Sequence, residues 1–372
     1  MSQQRGNTTT AGAAGAPNVL HYGVMGYGPV VVGLISAALF GIATPLSKVL
    51  LGSLSQFQLA GLLYLGAGLA MVPFVAVRGQ RSPRKPVDRK NGLRLAGSVL
   101  FGGCMGPVFL LLGLSFAHAS SVSLWLNLEL AATAVLGYLV FRDHLDAAGW
   151  IGVVVALLAG VLVTVGEGSA GIAASFFVAL ACLCWGLDNN FTALIDALTP
   201  QEVTLVKGFV AGAVNLSIGI LTARSLPAPG VTIASLLVGA LCYGGSIVLF
   251  IAAAQRLGAA RSQIVFAAGP FFALGFSIFL LSERPAWTQI AAAGALVGSI
   301  ALMLRARHSH KHAHARVVHI HSHRHDDLHH THIHPGQLAS LTHTHEHTHE
   351  ALIHEHPHLP DLHHRHNHGP GS

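Results

Sequence analysis

The sequence predicts an all-α membrane bundle: ten transmembrane helices in two inverted five-helix repeats, followed by a disordered histidine-rich tail. Three observations predict it. The 372 residues are 52% hydrophobic and only 10% charged, where soluble domains carry about 25% charged residues. The apolar residues fall into ten runs close to the ~20 residues that cross a bilayer. Two stretches, "FAHASSVSLWLNLELAATAVLGYLVFRDHL" and "RLGAARSQIVFAAGPFFALGFSIFLLSERP", align without gaps, placing Ala119 over Ala259 and Asp143 over Glu283.

Residues 1–27 are rich in Gly, Ala and Thr and carry one Arg. No compact apolar core follows a basic start, so a short disordered lead is expected rather than a cleaved signal peptide. The ten predicted helices cover 29–49, 55–78, 93–115, 119–141, 147–166, 171–195, 201–223, 231–253, 259–281 and 286–305. Gly and Pro are frequent inside them, as membrane helices permit. Gly102/Gly106, Gly208/Gly212 and Gly294/Gly298 place small residues four apart, which lets helices approach closely. Packing within one bundle is the expected use; a homodimer interface is the other. Cys104, Cys182, Cys184 and Cys242 all lie in apolar runs. A Cys-x-Cys pair sets its thiols about 200° apart on a helix, so these are packing residues and imply neither a disulfide framework nor a metal site.

Orientation follows from the loops. The segment 78–94 holds seven Lys and Arg, Arg256 and Arg261 flank the loop between helices eight and nine, and Arg305, Arg307 and Lys311 follow helix ten. The loops at "AHASS" and "GEGSAG" hold none. The positive-inside rule then puts both termini, and the tail, in the cytoplasm. The pI near 9.4 reflects these boundary cations and does not point to nucleic acid.

A second repeat anchor pairs "LFGIATPLSK" with "CWGLDNNFTA", Gly41 over Gly186. Five helices per unit is an odd number, so the second unit enters the membrane from the opposite side, a plan used by secondary transporters with the substrate site between the repeats. The aromatic-Gly opening of each unit (Phe40-Gly41, Trp185-Gly186), "ASSVSLWLNLE" in helix four, "AAGPFF…LLSE" in helix nine and "CWGLDNN" in helix six resemble the EamA-type transporters of the drug/metabolite transporter superfamily. The resemblance covers roughly 28–305 and implies two EamA-like repeats, 28–166 and 167–305, with 306–372 as an appended tail. Two departures stand out: Leu130 follows Glu129 where many relatives have Pro, which Pro270 keeps in the second repeat, and Asp143 closes the first repeat in place of Glu. The resemblance implies movement of a small metabolite across a plasma membrane, in bacteria the inner membrane, often with cation coupling. It leaves the substrate open.

Ionisable groups inside a bilayer cost about 3 kcal/mol or more, so each needs a partner or a purpose. Trp185, Asp188, Asn189 and Thr192 recur at i, i+3, i+4 and i+7 of helix six, a stripe suited to a substrate or proton site. Lys207, early in helix seven, is placed to neutralise Asp188, and a purely structural pair is the competing expectation. Trp125, Glu129 and Thr133 share a face of helix four; Glu129 is a candidate proton carrier, or a carboxylate tied to a neighbouring hydroxyl. Lys48 near the end of helix one either snorkels or meets an anion or Glu129. Asp143, Glu283, Arg256 and Arg261 read as boundary charges, Tyr243, Ser246 and Phe250 as a packing or cavity stripe, and His118 and His144 as loop residues.

The chain has 26 histidines; setting aside His21, His118 and His144 leaves 23 beyond Arg307. They alternate with other residues: His308, His310, His312 and His314; His319, His321, His323 and His325; His343, His345, His347 and His349; and further clusters behind these. Imidazole is the commonest protein ligand for transition metals. The density therefore predicts binding of Zn, Ni, Co or Cu, weakening below pH ~6.5 as imidazoles protonate.

No phosphate loop, nucleophile elbow or metalloprotease motif is present, so enzymatic function has no support. The predicted function is secondary transport, export favoured, of a small metabolite, with proton coupling, no required cofactor and a metal-binding cytoplasmic tail. A divalent-metal exporter and a membrane-anchored metal buffer or sensor are the alternatives; no helix carries the paired His or dense Asp/His set that metal transport needs.

Overall fold

The structure is a computed structural model describing residues 27–79, 87–141, 147–195, 197–257 and 265–305, together with four tail segments, 308–314, 317–323, 343–349 and 352–358. The N-terminal lead, Asp143, His144, Arg261 and His325 lie outside the described residues.

Eight described helices are long and apolar enough to cross a membrane: α1 (Gly28–Leu50), α2 (Gln56–Val77), α3 (Arg89–Phe116), α4 (Ala119–Val140), α5 (Ala147–Glu167), α6 (Ser169–Ala193), α7 (Pro200–Ala223) and α8 (Pro229–Ala253). Two shorter apolar helices follow, α9 (Gly269–Leu281) and α10 (Trp287–Leu302). The sequence predicts ten of spanning length. Residues 258–264 of the predicted ninth helix lie outside the described residues, and the described part is interrupted before Gly269. Pro270 has no N–H to give an upstream carbonyl, so the helix restarts at Gly269 with the proline in its first turn.

Large apolar side chains point outward: Leu139, Val165, Leu221 and Phe279 are all more than 60% exposed. The interior mixes a packed apolar core, with Trp125, Leu59, Leu63 and Leu111 at or below 1% exposed, and small or polar residues, among them Ser36, Ser98, Ser121, Asn215 and Ser277, each also at or below 1%. The apolar exterior and the polar groups paired inside suit a bundle in lipid, where close packing and interhelical hydrogen bonds hold helices together.

The two repeats are legible in the packing. α1 packs on α9 as α6 packs on α4, and α3 packs on α6 as α8 packs on α1; α2–α7, α5–α10 and α4–α9 pair repeat-equivalent helices. A Cβ on Gly41 would stand 2.8 Å from the Ala273 nitrogen, and one on Gly186 would stand 3.1 Å from the Thr133 nitrogen, its equivalent in the other half. On the pseudo-twofold axis itself, a Cβ on Gly208 would stand 2.6 Å from the Cα of Gly68. Beside Gly294 and Gly298 nothing lies within 4 Å, so this small-residue pair is not used for close packing among the described residues.

Two helical irregularities are also shared. α3 carries a π-helical segment at Ser98–Met105 and α8 carries one at Gly239–Gly245. α4 breaks at Leu126–Asn127, and the chain before α9 turns at Ala267–Ala268. Both breaks run through tight i+3 bonds, Asn127 N–H to Leu124 O (3.2 Å) and Ala268 N–H to Val265 O (3.2 Å). The continuous helix predicted over 119–141 is therefore two pieces.

One end of the bundle is tied by a polar network. Glu283 accepts from the N–H groups of Ala119 (2.9 Å) and Ser120 (2.8 Å), closing the N-terminus of α4 from the opposite repeat. Gln289 donates to Ser121 (2.5 Å), Ser121 donates to Glu167, and His118 lies 3.1 Å from Glu167. His118 and Glu283 therefore do more than the loop and boundary roles expected of them. At the other end Asp88 caps α3, accepting from the Asn91 N–H (2.8 Å). The Asn91 backbone and side chain hold its carboxyl below the usual carboxylate range.

The tail segments are four seven-residue strands, β1 (His308–His314), β2 (Val317–His323), β3 (His343–His349) and β4 (Leu352–His358). β1 pairs with β4 and β2 with β3, both antiparallel. This differs from the disordered tail predicted. Histidine at every second position over much of each segment has the period of a strand, although a lone two-stranded ribbon is only marginally stable in water.

Candidate translocation site

The π-helical turn of α3 organises the first polar cluster. Widening the turn frees carbonyls from the regular ladder. The Gly102 carbonyl accepts from Tyr64 Oη (2.5 Å) and Trp185 Nε1 (3.1 Å), and those of Gly103 and Cys104 accept from Asn215 Nδ2 (3.2 Å each). Asp188 sits against this turn, 7% exposed. Lys207 Nζ donates to both its oxygens at 2.6 Å, Ser98 Oγ donates to Oδ1 at 2.5 Å, and Thr192 Oγ1 donates at 3.1 Å. A Cβ on Gly102 would stand 2.0 Å from Asp188 Oδ2, so no other residue leaves room for the carboxylate here. With side chains only 14% and 11% exposed, Lys207 and Asp188 form a desolvated ion pair whose remaining lone pairs are met by hydroxyls, the condition under which such a pair is tolerated.

A second cluster lies on the neighbouring face of α6. Asn189 Nδ2 donates to Glu129 Oε1 (2.9 Å) and Thr133 Oγ1 (3.2 Å). Glu129 follows directly on the break in α4, and Asn189 is exposed. Asn190, absent from the predicted set, holds the Thr133 and Gly186 carbonyls (3.2 and 2.8 Å) and locks α6 to α4. Asp188 lies five residues from the end of α6 and Glu129 near the middle of α4. The two clusters lie side by side, reached by adjacent residues of α6, Asp188 and Asn189.

The predicted residues are distributed as follows. Trp185, Asp188 and Thr192 face α3 and α7, while Asn189, one residue and 100° further round, turns to Glu129. Trp125 does not join Glu129: fully buried, it donates to the Gly160 carbonyl on α5 (3.0 Å). Lys48 reaches neither an anion nor Glu129 in its hydrogen bonds; it caps the end of α3, donating to the carbonyls of Leu114 (2.5 Å) and Ala117 (3.0 Å). Tyr243 packs its ring against Phe40 and Tyr64 (centroids 5.9 and 6.2 Å), and Ser246 exchanges hydrogen bonds with Ser36 (2.7 and 3.0 Å). Ser98, Tyr64 and Asn215 were not singled out by the sequence; the Gly102-Gly103 doublet was the available signal. Thr133, read from the sequence on the Glu129 face, does join it through Asn189. Among the described residues no three His, Cys, Asp or Glu side chains gather as a metal-ligand set.

A helical bundle with lipid-type packing, two five-helix halves related by an internal symmetry, and polar clusters inside its spans is a multi-pass membrane transporter. A family model described as the EamA-like transporter family matches residues 28–165 and again 172–305, and the chain belongs to that family. An "Uncharacterized transporter" from Methanothermobacter thermautotrophicus (strain ATCC 29096 / DSM 1053 / JCM 10044 / NBRC 100330 / Delta H) is 27% identical over 279 residues, covering 68% of this chain and 79% of the relative. A solved crystal structure shares the fold at 17% identity with a TM-score of 0.52, over 75% of this chain and 97% of that one. The partners this class implies are a small-molecule substrate and the bilayer.

Proposed function

We propose that the protein is a secondary transporter, working as an exporter, of a small polar metabolite across a plasma membrane. α1–α5 and α6–α10 act as ten crossings in two inverted repeats, divided at 166/167, with both termini in the cytoplasm. The observation that carries this is the Asp188–Lys207 pair set against the π-helical turn of α3, continued by Asn189 and Glu129. Broken or irregular helices in matching positions of two repeats are the best pointer to a transporter's binding site. Asn189 is exposed and Glu129 half-buried beside it in the middle of a span. Lipid is a poor neighbour for such groups, so this face lines a water-accessible path. Glu129 carries a proton along it, and Asp188 and Lys207 offer a substrate paired charges of both signs.

The histidine-rich tail binds divalent transition metals in the cytoplasm and stands outside the path, because it follows the last helix. The metal-exporter alternative finds no ligand set in the bundle among the described residues.

A flux screen in proteoliposomes tests the proposal, with amino acids and other small metabolites beside Zn²⁺ and Ni²⁺, with and without a proton gradient. Metabolite flux that a proton gradient accelerates is the expected result. Flux of Zn²⁺ or Ni²⁺ alone would replace it with the metal-exporter function.

A further inference from the structure

The polar network at the end of the bundle opposite the segment 78–94 joins the two repeats rather than neighbours within one. From the second repeat come Glu283, beyond α9, and Gln289, in the first turn of α10. From the first come the opening turn of α4 and the last residue of α5, Glu167. Gln289 Nε2 donates to Ser121 Oγ (2.5 Å) and Ser120 Oγ (3.3 Å), and its Oε1 accepts from the Ala286 N–H (2.9 Å). One amide thus holds α10 to α4 and fixes the start of its own helix. Ser121 and Gln289 are buried, and so is the side chain of Glu167. His118, bound to Glu167, is exposed.

The first piece of α4, Ala119–Trp125, is buried at every residue and packs against α9 of the opposite repeat. It ends at the break of 126–127, and Glu129 follows directly. At the break the piece is held within its own repeat, where Trp125 donates to the Gly160 carbonyl of α5. It is a short arm, hinged at 126–127 and fastened to the other repeat at its tip. It stands between Glu129 and the end of the bundle where α4 begins. The tie at its tip is imperfectly satisfied. Among the described residues two buried side-chain hydroxyls have no hydrogen-bond partner, Ser47 and Thr288. Both sit at this end, Ser47 in the last turn of α1 and Thr288 next to Gln289. A Cβ on Gly166 would overlap Thr288 Oγ1, so α10 closes on α5 as tightly as a glycine permits.

A buried hydroxyl without a partner forfeits its bonds to water, and it regains them when this end opens. A tie that served only to hold the bundle would gain nothing from such groups, because a partly satisfied polar network is a poor substitute for apolar packing. We infer that the arm and its tie are a gate. Gln289 on Ser120 and Ser121, with Glu283 on the α4 N–H groups, latches residues 119–125 over the path. A solute passes this end only when the latch parts and the arm turns at 126–127. The inference rests on the proposed transport and deepens it, since alternating access needs a closure on each side of a central site and this assigns one of the two.

The test uses the full-length protein in lipid nanodiscs, where both ends meet water. Ser123→Cys, fully buried in the arm, is the reporter. Cys104, Cys182 and Cys184 are replaced by Ala, and Cys242, buried in α8, is kept as the reference. A water-soluble maleimide is the probe, and peptide mass spectrometry reads the two cysteines separately. Gln289→Ala should speed labelling of the arm at least tenfold and leave Cys242 as slow as in the parent. Equal acceleration at both would mark the network as a tie of the whole bundle, and no acceleration would mean that it holds nothing shut; either overturns the gate. A second variant joins Ser121→Cys to Gln289→Cys through a short reducible linker. Its proteoliposomes, given a radiolabelled panel of amino acids and small metabolites, should show flux at least tenfold below the parent's, restored on reduction. Full flux through the linked pair would overturn the gate and leave the transporter standing. Fast labelling of the arm in Gln289→Ala, with no flux of any panel solute by the parent, would keep the hinged arm and overturn the proposed transport.

Discussion

The two repeats share a frame and divide the chemistry unequally. Gly41 and Gly186, the π-helical segments of α3 and α8, and the breaks at 126–127 and 267–268 recur in both halves. The charges do not. Where α6 has Trp185, Asp188, Asn189 and Thr192, aligning Gly41 with Gly186 gives α1 Phe40, Ala43, Thr44 and Ser47. The first repeat's Gly102, against Asp188, is matched in the second by Cys242, against no carboxylate. Backbone devices that shape a bundle are thus kept in both copies, while among the described residues the Asp188–Lys207 pair has no counterpart at the matched positions of the first repeat. Symmetry accounts for how the halves pack, and the asymmetry falls at the site proposed to read the solute.

Perturbations at matched positions should therefore have unmatched effects. The largest falls on Lys207. Lys207→Met leaves Asp188 buried without its counter-charge, which should cost about 3–5 kcal/mol and appear as a sharp loss of thermal stability of the solubilised protein. Gly102→Ala comes next, because its Cβ would overlap the Asp188 carboxylate; flux should fall at least tenfold. Cys242→Ala, its repeat equivalent, should leave flux within about twofold and cost about 1 kcal/mol, one small apolar group. Equal losses at the two positions would erase the distinction between halves. Glu129→Gln keeps an acceptor for Asn189 and removes the ionisable group, so flux should persist down a solute gradient and lose its acceleration by a proton gradient. Glu283→Gln weakens two charge-assisted bonds at the tied end, for a loss of about 1–3 kcal/mol in stability with substrate affinity unchanged. The smallest effect is expected from ending the chain at Arg307: metabolite flux should match the parent in liposomes, while bound Zn²⁺ falls to near zero.

Much of this molecule could be read without coordinates because membrane chemistry leaves few ways to use a polar residue. Long apolar runs between cation-rich loops gave the helices. A lone acid in α6 and a lone lysine in α7 pointed to each other before their 2.6 Å contact was seen. What escaped the reading was local geometry. An apolar helix shows the same composition whether its turns close four or five residues back, so the π-helical segment and its carbonyl partners, Tyr64 and Asn215, were hidden. The i, i+3, i+4, i+7 stripe was read as one face, but 100° between Asp188 and Asn189 is enough to send them to different helices. Lys48 and Trp125 were drawn toward Glu129 by charge and spacing, when free carbonyls at the end of α3 and on α5 were nearer. In the tail, disorder was expected, and neither the described strands nor their pairing was read from the sequence.

The central claim is that the Asp188–Lys207 pair of the second repeat is the translocation site rather than a structural tie. Proteoliposome flux of the double variant Asp188→Asn/Lys207→Met measures it most directly, since a neutral pair keeps the helices packed without leaving an orphaned charge. The account predicts that the double variant folds and inserts with stability close to the parent's and transports at less than about a tenth of its rate. Full flux from that neutral pair would contradict it and reduce Asp188 and Lys207 to architecture.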